Sequence, residues 1–278
     1  MTAHALPVGF EEDHDLRSAF IRKLTLEQLV TGSVRRRQRS RKKIPRTLVR
    51  YWHDPHALPD DVGACIESWT RLRAQDFQFR MFNDSSAAAY IAANYGSREC
   101  AAFGRCRHPA MRSDYLRLCF MLAEGGLYVD ADDVLGEGDG WTRLFEDDRL
   151  KVQPLCYDVS AGEMVPAAAI WRADLPTEGR IFYVNNDPIV APPGHRVLRR
   201  ALARATERLL AKNAQPEIQE TTGPGNLTAV LAGYARELRL RGHGPDFVFL
   251  KDWGAIAQTR WELSYRGDER NWRNMDGS

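Results

Sequence analysis

Three carboxylates stand together at Asp130, Asp132 and Asp133, at the end of the run Gly125-Gly126-Leu127-Tyr128-Val129-Asp130-Ala131-Asp132-Asp133. The apolar triplet ahead of them reads as a short buried strand. On extended backbone, residues two apart point to the same side, so the spacing predicts that Asp130 and Asp132 face one place. Like charges held that close repel, and desolvation worsens the repulsion. A divalent cation relieves it. Hard carboxylate oxygens suit Mg²⁺ or Mn²⁺, and Mg²⁺ typically shares its shell with substrate phosphates. Such a site suits a nucleoside diphosphate leaving group, whose charge the cation neutralises as its bond breaks. The competing reading is a solvated acidic turn; the apolar strand and double glycine before the acids favour the metal.

Elements able to position these groups alternate between residues 44 and 135. The core begins at Ile44-Pro45, and Thr47 to Trp52 form a β-rich run that His53-Asp54-Pro55 ends. Residues 60–73 read as a helix with Val62, Ile66 and Trp69 on one face. Phe77 to Phe82 read as a second strand, and Asn83-Asp84-Ser85-Ser86 caps an alanine-rich helix that runs through Ala93. A further helix spans 109–124 and stops at Gly125-Gly126. This alternation predicts a mostly parallel α/β sheet, in which ligands sit at the carboxyl ends of the strands. Trp52 and Asp130 both lie at such ends. Beyond residue 140 only two helices are clear, over 195–213 and 225–240, the second opened by the turn Thr222-Gly223-Pro224-Gly225.

Ahead of the core, residues 11–31 read as helical, with Leu16, Phe20, Ile21 and Leu24 on one face. Leu26, Leu29 and Val30 continue out of phase, and Thr25 and Gln28 have capping-box spacing, which predicts a second short helix starting there. Between Arg35 and Lys43 come seven positive charges in nine residues. Such a run stays solvated and reads as an exposed linker, with an anionic membrane surface as the second reading and nucleic acid behind it.

The 278 residues are enough to bury a sizeable core, and 44% hydrophobic with 27% charged residues is ordinary for a soluble globular protein. No apolar run reaches the roughly 18 residues a membrane span needs, and the N-terminus lacks the apolar stretch of a secretory signal. Five cysteines without a CxxC pair point to reduced thiols rather than a disulfide framework. Cys100, Cys106 and His108 could ligate a metal, but their spacing carries no zinc signature. The expected location is cytoplasmic, with peripheral attachment to a membrane where the basic run engages one.

The order of motifs resembles a known family. Ile44-Pro45-Arg46, Trp52, Ser68-Trp69, Phe82-Asn83-Asp84, the sequence Ala110…Arg112-Ser113-Asp114…Arg117 and then Gly125-Gly126…Tyr128…Asp130…Asp132 together resemble glycosyltransferase family 32. That is the DXD sugar-transferase group, which includes outer-chain initiating mannosyltransferases and shares its core signature with glucosylating bacterial toxins. The resemblance implies a GT-A-like nucleotide-binding domain over 44–278, with helical additions and preceded by an N-terminal helical piece and basic linker over 1–43. It implies that Trp52 stacks on the nucleotide base, that Asp114 and Arg117 contact ribose or donor sugar, and that Asp130 and Asp132 hold the donor and a Mn²⁺ or Mg²⁺ ion. Asp130, Asp132 and Arg117 are thereby the catalytic candidates, and Asp133 could support them from behind.

Farther along, Thr221-Thr222-Gly223-Pro224-Gly225 resembles the family's TGP segment. Asn185-Asn186-Asp187, followed by Pro193-Gly194-His195, resembles its asparagine-containing acceptor region. Gly223 and Asn186 are carried over as donor-binding. Arg260-Trp261-Glu262-Leu263-Ser264-Tyr265 resembles the family's HWxxSW ending, with arginine in place of histidine at 260 and tyrosine in place of tryptophan at 265. Arg260 could meet phosphate directly and Glu262 could supply the missing metal ligand.

The expected function is metal-dependent, retaining transfer of a sugar from a nucleotide-diphosphate sugar to a carbohydrate, lipid-linked or other hydroxyl acceptor, with no nucleic-acid partner. The sequence offers no obvious enzymic nucleophile. The rival readings are a non-catalytic, effector-like nucleotide- or sugar-binding protein and a nucleotidyltransferase.

Overall fold

A computed structural model describes residues 6–31, 43–212, 216–268 and 271. Of the basic run, only Lys43 falls within them, and it is exposed; the rest lies outside the described residues. The elements follow in the order α1 (His14–Thr31), β1 (Thr47–Tyr51), α2 (Asp60–Glu67), β2 (Gln78–Phe82), α3 (Asp84–Asn94), α4 (Ser97–Gly104), α5 (Pro109–Ala123), β3 (Gly126–Tyr128), β4 (Asp133–Leu135), β5 (Leu150–Asp158) and β6 (Glu163–Met164). They continue with α6 (Ala167–Ile170), β7 (Arg180–Ala191), α7 (Arg196–Leu210), α8 (Ile218–Thr221), α9 (Pro224–Leu240), β8 (Phe247–Phe249), α10 (Trp253–Ile256) and β9 (Ala257–Thr259).

Seven of the strands form one sheet in the order β2-β1-β3-β7-β5-β6, with β8 also on β5. β2 and β3 lie parallel to β1, whereas β7 is antiparallel to both β3 and β5 and β8 is parallel to β5. Most strands therefore run one way, as the alternating pattern predicts, with β7 reversed in their midst and the short β6 reversed at the edge.

Alternation of side chains across the pleat builds the two faces. Leu48, Leu127 and Val190 pack on one side with Trp69, Trp141 and Trp253. Val49, Tyr128 and Ile189 pack on the other with residues of α5, α7 and α9. Helix α1 joins that second cluster through Phe20, Ile21 and Leu24, and Arg17 bonds Glu220 at 2.6 Å.

Two local expectations are corrected. The segment 14–31 is one helix, because Thr25 turns its hydroxyl back onto Ile21 O at 2.9 Å in mid-helix instead of capping a new one. The helix expected over 60–73 ends at Glu67 and gives way to a 3₁₀ stretch over Thr70–Gln75; the bend turns Trp69 into the core, where its Nε1 donates to Asp133 O at 2.9 Å. His108 caps α5, its Nδ1 accepting from Ala110 N at 3.1 Å, and Cys106 donates to Ala102 O. Among the described residues no cluster of metal-ligating side chains forms there.

The turn that delivers the acids depends on its glycines. Gly125 and Gly126 have φ of 72° and 119°, a region closed to most side chains. A Cβ on Gly126 would meet Thr47 O at 2.5 Å, because β3 inserts beside β1 at that point. Gly126→Ala is therefore expected to cost about 1–3 kcal/mol of strain, read as a lowered urea midpoint; an unchanged midpoint would contradict this account of the turn.

Candidate active site

β1 and β3 end side by side, and the residues just beyond them open into a cavity of about 540 Å³. Helix α5 supplies the opposite wall. Pro109 at its first turn and the His108 cap fix its start. At its base Arg112 Nε meets Asp84 Oδ1 at 2.8 Å and Tyr51 donates to the same carboxylate, tying the helix to the ends of β1 and β2.

One turn farther along α5, Arg117 is the organising group. Its side chain is 4% exposed and lies 4.2 Å over the Tyr128 ring. Nη1 donates to Asn186 O at 2.7 Å, and Nη2 donates to Asp130 Oδ1 at 2.7 Å. Nη2 is also 3.2 Å from Asp114 Oδ1. Burial disfavours its charge, but Asp130, Tyr128 and Asp114 outweigh that, so its proton is held more tightly than usual. Asp114 in turn accepts from Asn186 Nδ2 at 2.8 Å and Thr222 Oγ1 at 3.2 Å. Burial pushes its carboxyl up to about 6 even though Arg117 opposes the shift.

The three acids of the motif part company after β3. The backbone does not stay extended: a turn over Ala131-Asp132 follows, closed by Asp133 N to Asp130 O at 3.3 Å. Asp130 and Asp132 nevertheless line the same cavity, so the expected convergence is reached through a turn rather than through strand alternation. Asp130 Oδ1 takes Arg117 and the Tyr128 hydroxyl, the latter at 3.2 Å. Asp132 Oδ2 accepts from Tyr265 at 2.7 Å and from the Arg266 guanidinium. Asp133 points away from the cavity into β4, where its Oδ1 accepts from Thr259 at 2.7 Å.

Burial, reinforced by neighbouring carboxylates, raises Asp132 above the usual carboxylate range and pushes Asp133 up to about 7. Asp187, whose Oδ1 accepts from Asp130 N at 3.1 Å, is raised further by burial and by Asp133 and Asp130. Beneath them lies Arg50, buried, 5.1 Å over Trp69 and 3.3 Å from Asp133 O. Burial pulls it down to about 10 while Asp133 and Asp187 oppose the shift. The site thus sets five carboxylates, Asp114, Asp130, Asp132, Asp133 and Asp187, against three arginines, Arg50, Arg117 and Arg266, an arrangement that favours an added cation.

The remaining sequence candidates divide. Trp52 lines the cavity but is only 8% exposed, its ring meeting Tyr265 edge-on with centroids 5.3 Å apart. Asn186 lines the cavity through the Asp114 network. Gly223 does not; its N–H closes α8 on Ile218 O at 2.9 Å and its carbonyl accepts from Leu227 N at 3.3 Å at the start of α9, while its neighbour Thr222 reaches Asp114. His195 likewise caps α7. Arg260 and Glu262 are exposed side chains outside the cavity wall, and Arg260 contributes only its backbone N–H, to Asp132 O at 2.9 Å. Arg266 and Asp187 hold the places beside the motif acids. Asp187 lies within the Asn185-Asn186-Asp187 segment that resembles the family, from which only Asn186 was carried over as a site residue, and Arg266 carries no spacing signal at all.

This geometry agrees with a comparison by sequence: residues 59–137 match the family model described as glycosyltransferase sugar-binding region containing DXD motif. The match includes Asp114, Arg117, Asp130 and Asp132, and it supports a role in sugar transfer. Among solved structures, the chain is similar to the PaToxG glycosyltransferase, with a TM-score of 0.49 and 14% identity over 83% of this chain and 82% of that one. None of the curated proteins matches. Among the described residues no helix is long and apolar enough to cross a membrane.

Proposed function

We propose that the protein is a metal-dependent, retaining glycosyltransferase that moves a sugar from a nucleotide-diphosphate sugar to a hydroxyl acceptor. The observation that carries this reading is the convergence of Asp114, Arg117, Asp130 and Asp132 on one cavity at the carboxyl ends of β1 and β3, where open α/β sheets bind ligands.

The donor set fits a hard divalent cation. Every acidic group facing the cavity offers carboxylate oxygen, and Asp130 adds to the burial that raises both Asp132 and Asp187, so these carboxylates crowd one another. No three metal-ligating side chains are grouped among the described residues. Asp132 and Asp130 would therefore supply only part of a shell, the rest coming from water and donor phosphates, as Mg²⁺ prefers. Bound there, the cation would neutralise the diphosphate as it leaves.

In the chain's own part of the mechanism, Arg117 holds Asp130 by charge and hydrogen bond, so that the free carboxylate oxygen of Asp130 can accept a donor hydroxyl. Asp114 is oriented for the same task by Asn186 and Thr222. The buried wall of α5 excludes water from the anomeric carbon. An acceptor hydroxyl approaching on the face of the departing diphosphate forms the new C–O bond as the old one breaks, and its proton passes to the leaving phosphate oxygen. The configuration at carbon is then kept. Proton NMR of the first sugar formed from an α-linked donor tests this: the α anomer is expected, and the β anomer would exclude retention.

Trp52 closes the base end of the cavity. Trp52→Ala is expected to weaken binding of the nucleotide donor by about 1–3 kcal/mol, the range of base–aromatic stacking. Calorimetric titration measures it, and undiminished affinity in a folded variant would remove Trp52 from the base site.

A further inference from the structure

The chain leaves β9, which pairs with β4 through Thr259 and Asp133, and passes directly over the acidic turn. Its course is fixed at three points. Arg260 N donates to Asp132 O at 2.9 Å. Leu263 is buried against Trp52, Val62, Cys65 and Ala131. Ser264 donates through N and Oγ to the Asp61 carboxylate at 2.6 and 3.1 Å. The next two residues are thereby brought to the cavity. The Tyr265 hydroxyl and the Arg266 guanidinium both settle on Oδ2 of Asp132, and the guanidinium carbon lies 4.5 Å from the centre of the Trp261 ring. The pair is mostly shielded, with side-chain exposures of 17% for Arg266 and 10% for Asp132, and both residues line the cavity.

We infer that Arg266 is a diphosphate-binding residue of the donor site, which rests on Asp132 until a metal-bound nucleoside diphosphate arrives and then transfers its guanidinium to the phosphate oxygens. This rests on the sugar-nucleotide reading above. A guanidinium and a divalent cation brought to one carboxylate repel each other, so a cation arriving at Asp132 favours release of Arg266 from Oδ2. The displaced side chain stays in place because Ser264, two residues earlier, is pinned to Asp61. A planar fork of donors matches phosphate oxygens as well as it matches carboxylate, and a diphosphate bridging to the cation brings those oxygens next to Asp132. Charge is balanced in both states: Arg266 neutralises Asp132 in the free protein, and the cation and Arg266 together face the acids and the diphosphate in the complex. The phosphate role expected of Arg260 thus falls to the arginine six residues later.

The two functions give opposite signs when Arg266 is removed. Binding of Mn²⁺ alone, and of UDP and GDP with saturating Mn²⁺, is measured by titration calorimetry on the full chain, for wild type, Arg266→Gln and Arg266→Lys, with thermal melts to verify folding. Arg266→Gln is expected to bind Mn²⁺ alone several-fold more tightly, because Asp132 loses its competitor. The same variant is expected to bind the preferred nucleoside diphosphate about tenfold or more weakly, because a charge-assisted contact is lost. Arg266→Lys keeps the charge without the fork; it is expected to leave Mn²⁺ affinity near wild type and recover part of the nucleotide affinity. If Arg266→Gln weakens both ligands together, Arg266 only supports the fold of the site and the inference fails. It fails equally if both affinities are unchanged. A wild type that binds Mn²⁺ but neither nucleotide overturns the sugar-nucleotide reading itself.

Discussion

Asp132→Asn is expected to lower sugar transfer by about 10²-fold or more, because a cation that stabilises the departing diphosphate contributes several kcal/mol and each 1.36 kcal/mol is tenfold in rate. Asparagine matches aspartate in size and still accepts the Tyr265 hydroxyl, but it lacks the charge that attracts the cation. Folding should survive. Asp132 is a carboxylate whose charge burial already disfavours, and Arg266 keeps its packing on the Trp261 ring. The variant should therefore melt close to wild type, and the loss should appear in kcat/KM at saturating Mn²⁺. Full activity in Asp132→Asn would remove this residue from the chemistry.

Arg117→Met is expected to act through stability, with a loss of about 3–5 kcal/mol at neutral pH, the cost of stranding a buried charge. Arg117 faces Asp114 and Asp130 together, and methionine fills its volume without answering either. The pH dependence has a definite sign. Asp114 is pushed up to about 6 by burial with Arg117 opposing; without Arg117 it rises further. A carboxyl raised in the folded state contributes stability below its unfolded pKa of about 4 and loses it as pH climbs through the folded value. The deficit should therefore be smaller at pH 5 than at pH 8 in urea titrations. An equal deficit at both would mean that Asp114 does not carry the strain.

Where local patterns carried the information, the sequence was readable. Asn83 caps α3 as expected, within a capping box with Ser86, Pro109 opens α5, and the two glycines end it where the chain must turn into β3. These features depend on residues a few positions apart. β7 escaped the same reading because Asn185, Asn186, Asp187 and Pro188 interrupt its apolar run. Its antiparallel place between β3 and β5 is set by pairings more than twenty residues distant in sequence. The site divides in the same way. The acids after β3 were visible by spacing, whereas Asp114 and Arg117, which share a helix face, were singled out only by the family resemblance. Thr222 lay inside a motif that pointed to Gly223 instead, since the turn gives its backbone to α9 and its threonine hydroxyl to Asp114. Arg50 hides in an ordinary β1 pattern and is marked only by what packs around it. Arg266 reaches Asp132 across more than a hundred residues of sequence, and only the folded course of the C-terminal segment brings the two together.

The central claim is that buried carboxylates beside Arg117 hold a cation on which a sugar nucleotide is cleaved. Its most direct test is to incubate the protein with a panel of nucleotide sugars in Mn²⁺, in excess chelator, and in chelator overcome by added Mn²⁺, and to identify the nucleotide released. The account predicts a nucleoside diphosphate formed from at least one donor, stopped by the chelator and restored with the metal. Full turnover in chelator, pyrophosphate as the product, or no turnover of any donor by the folded protein would contradict it.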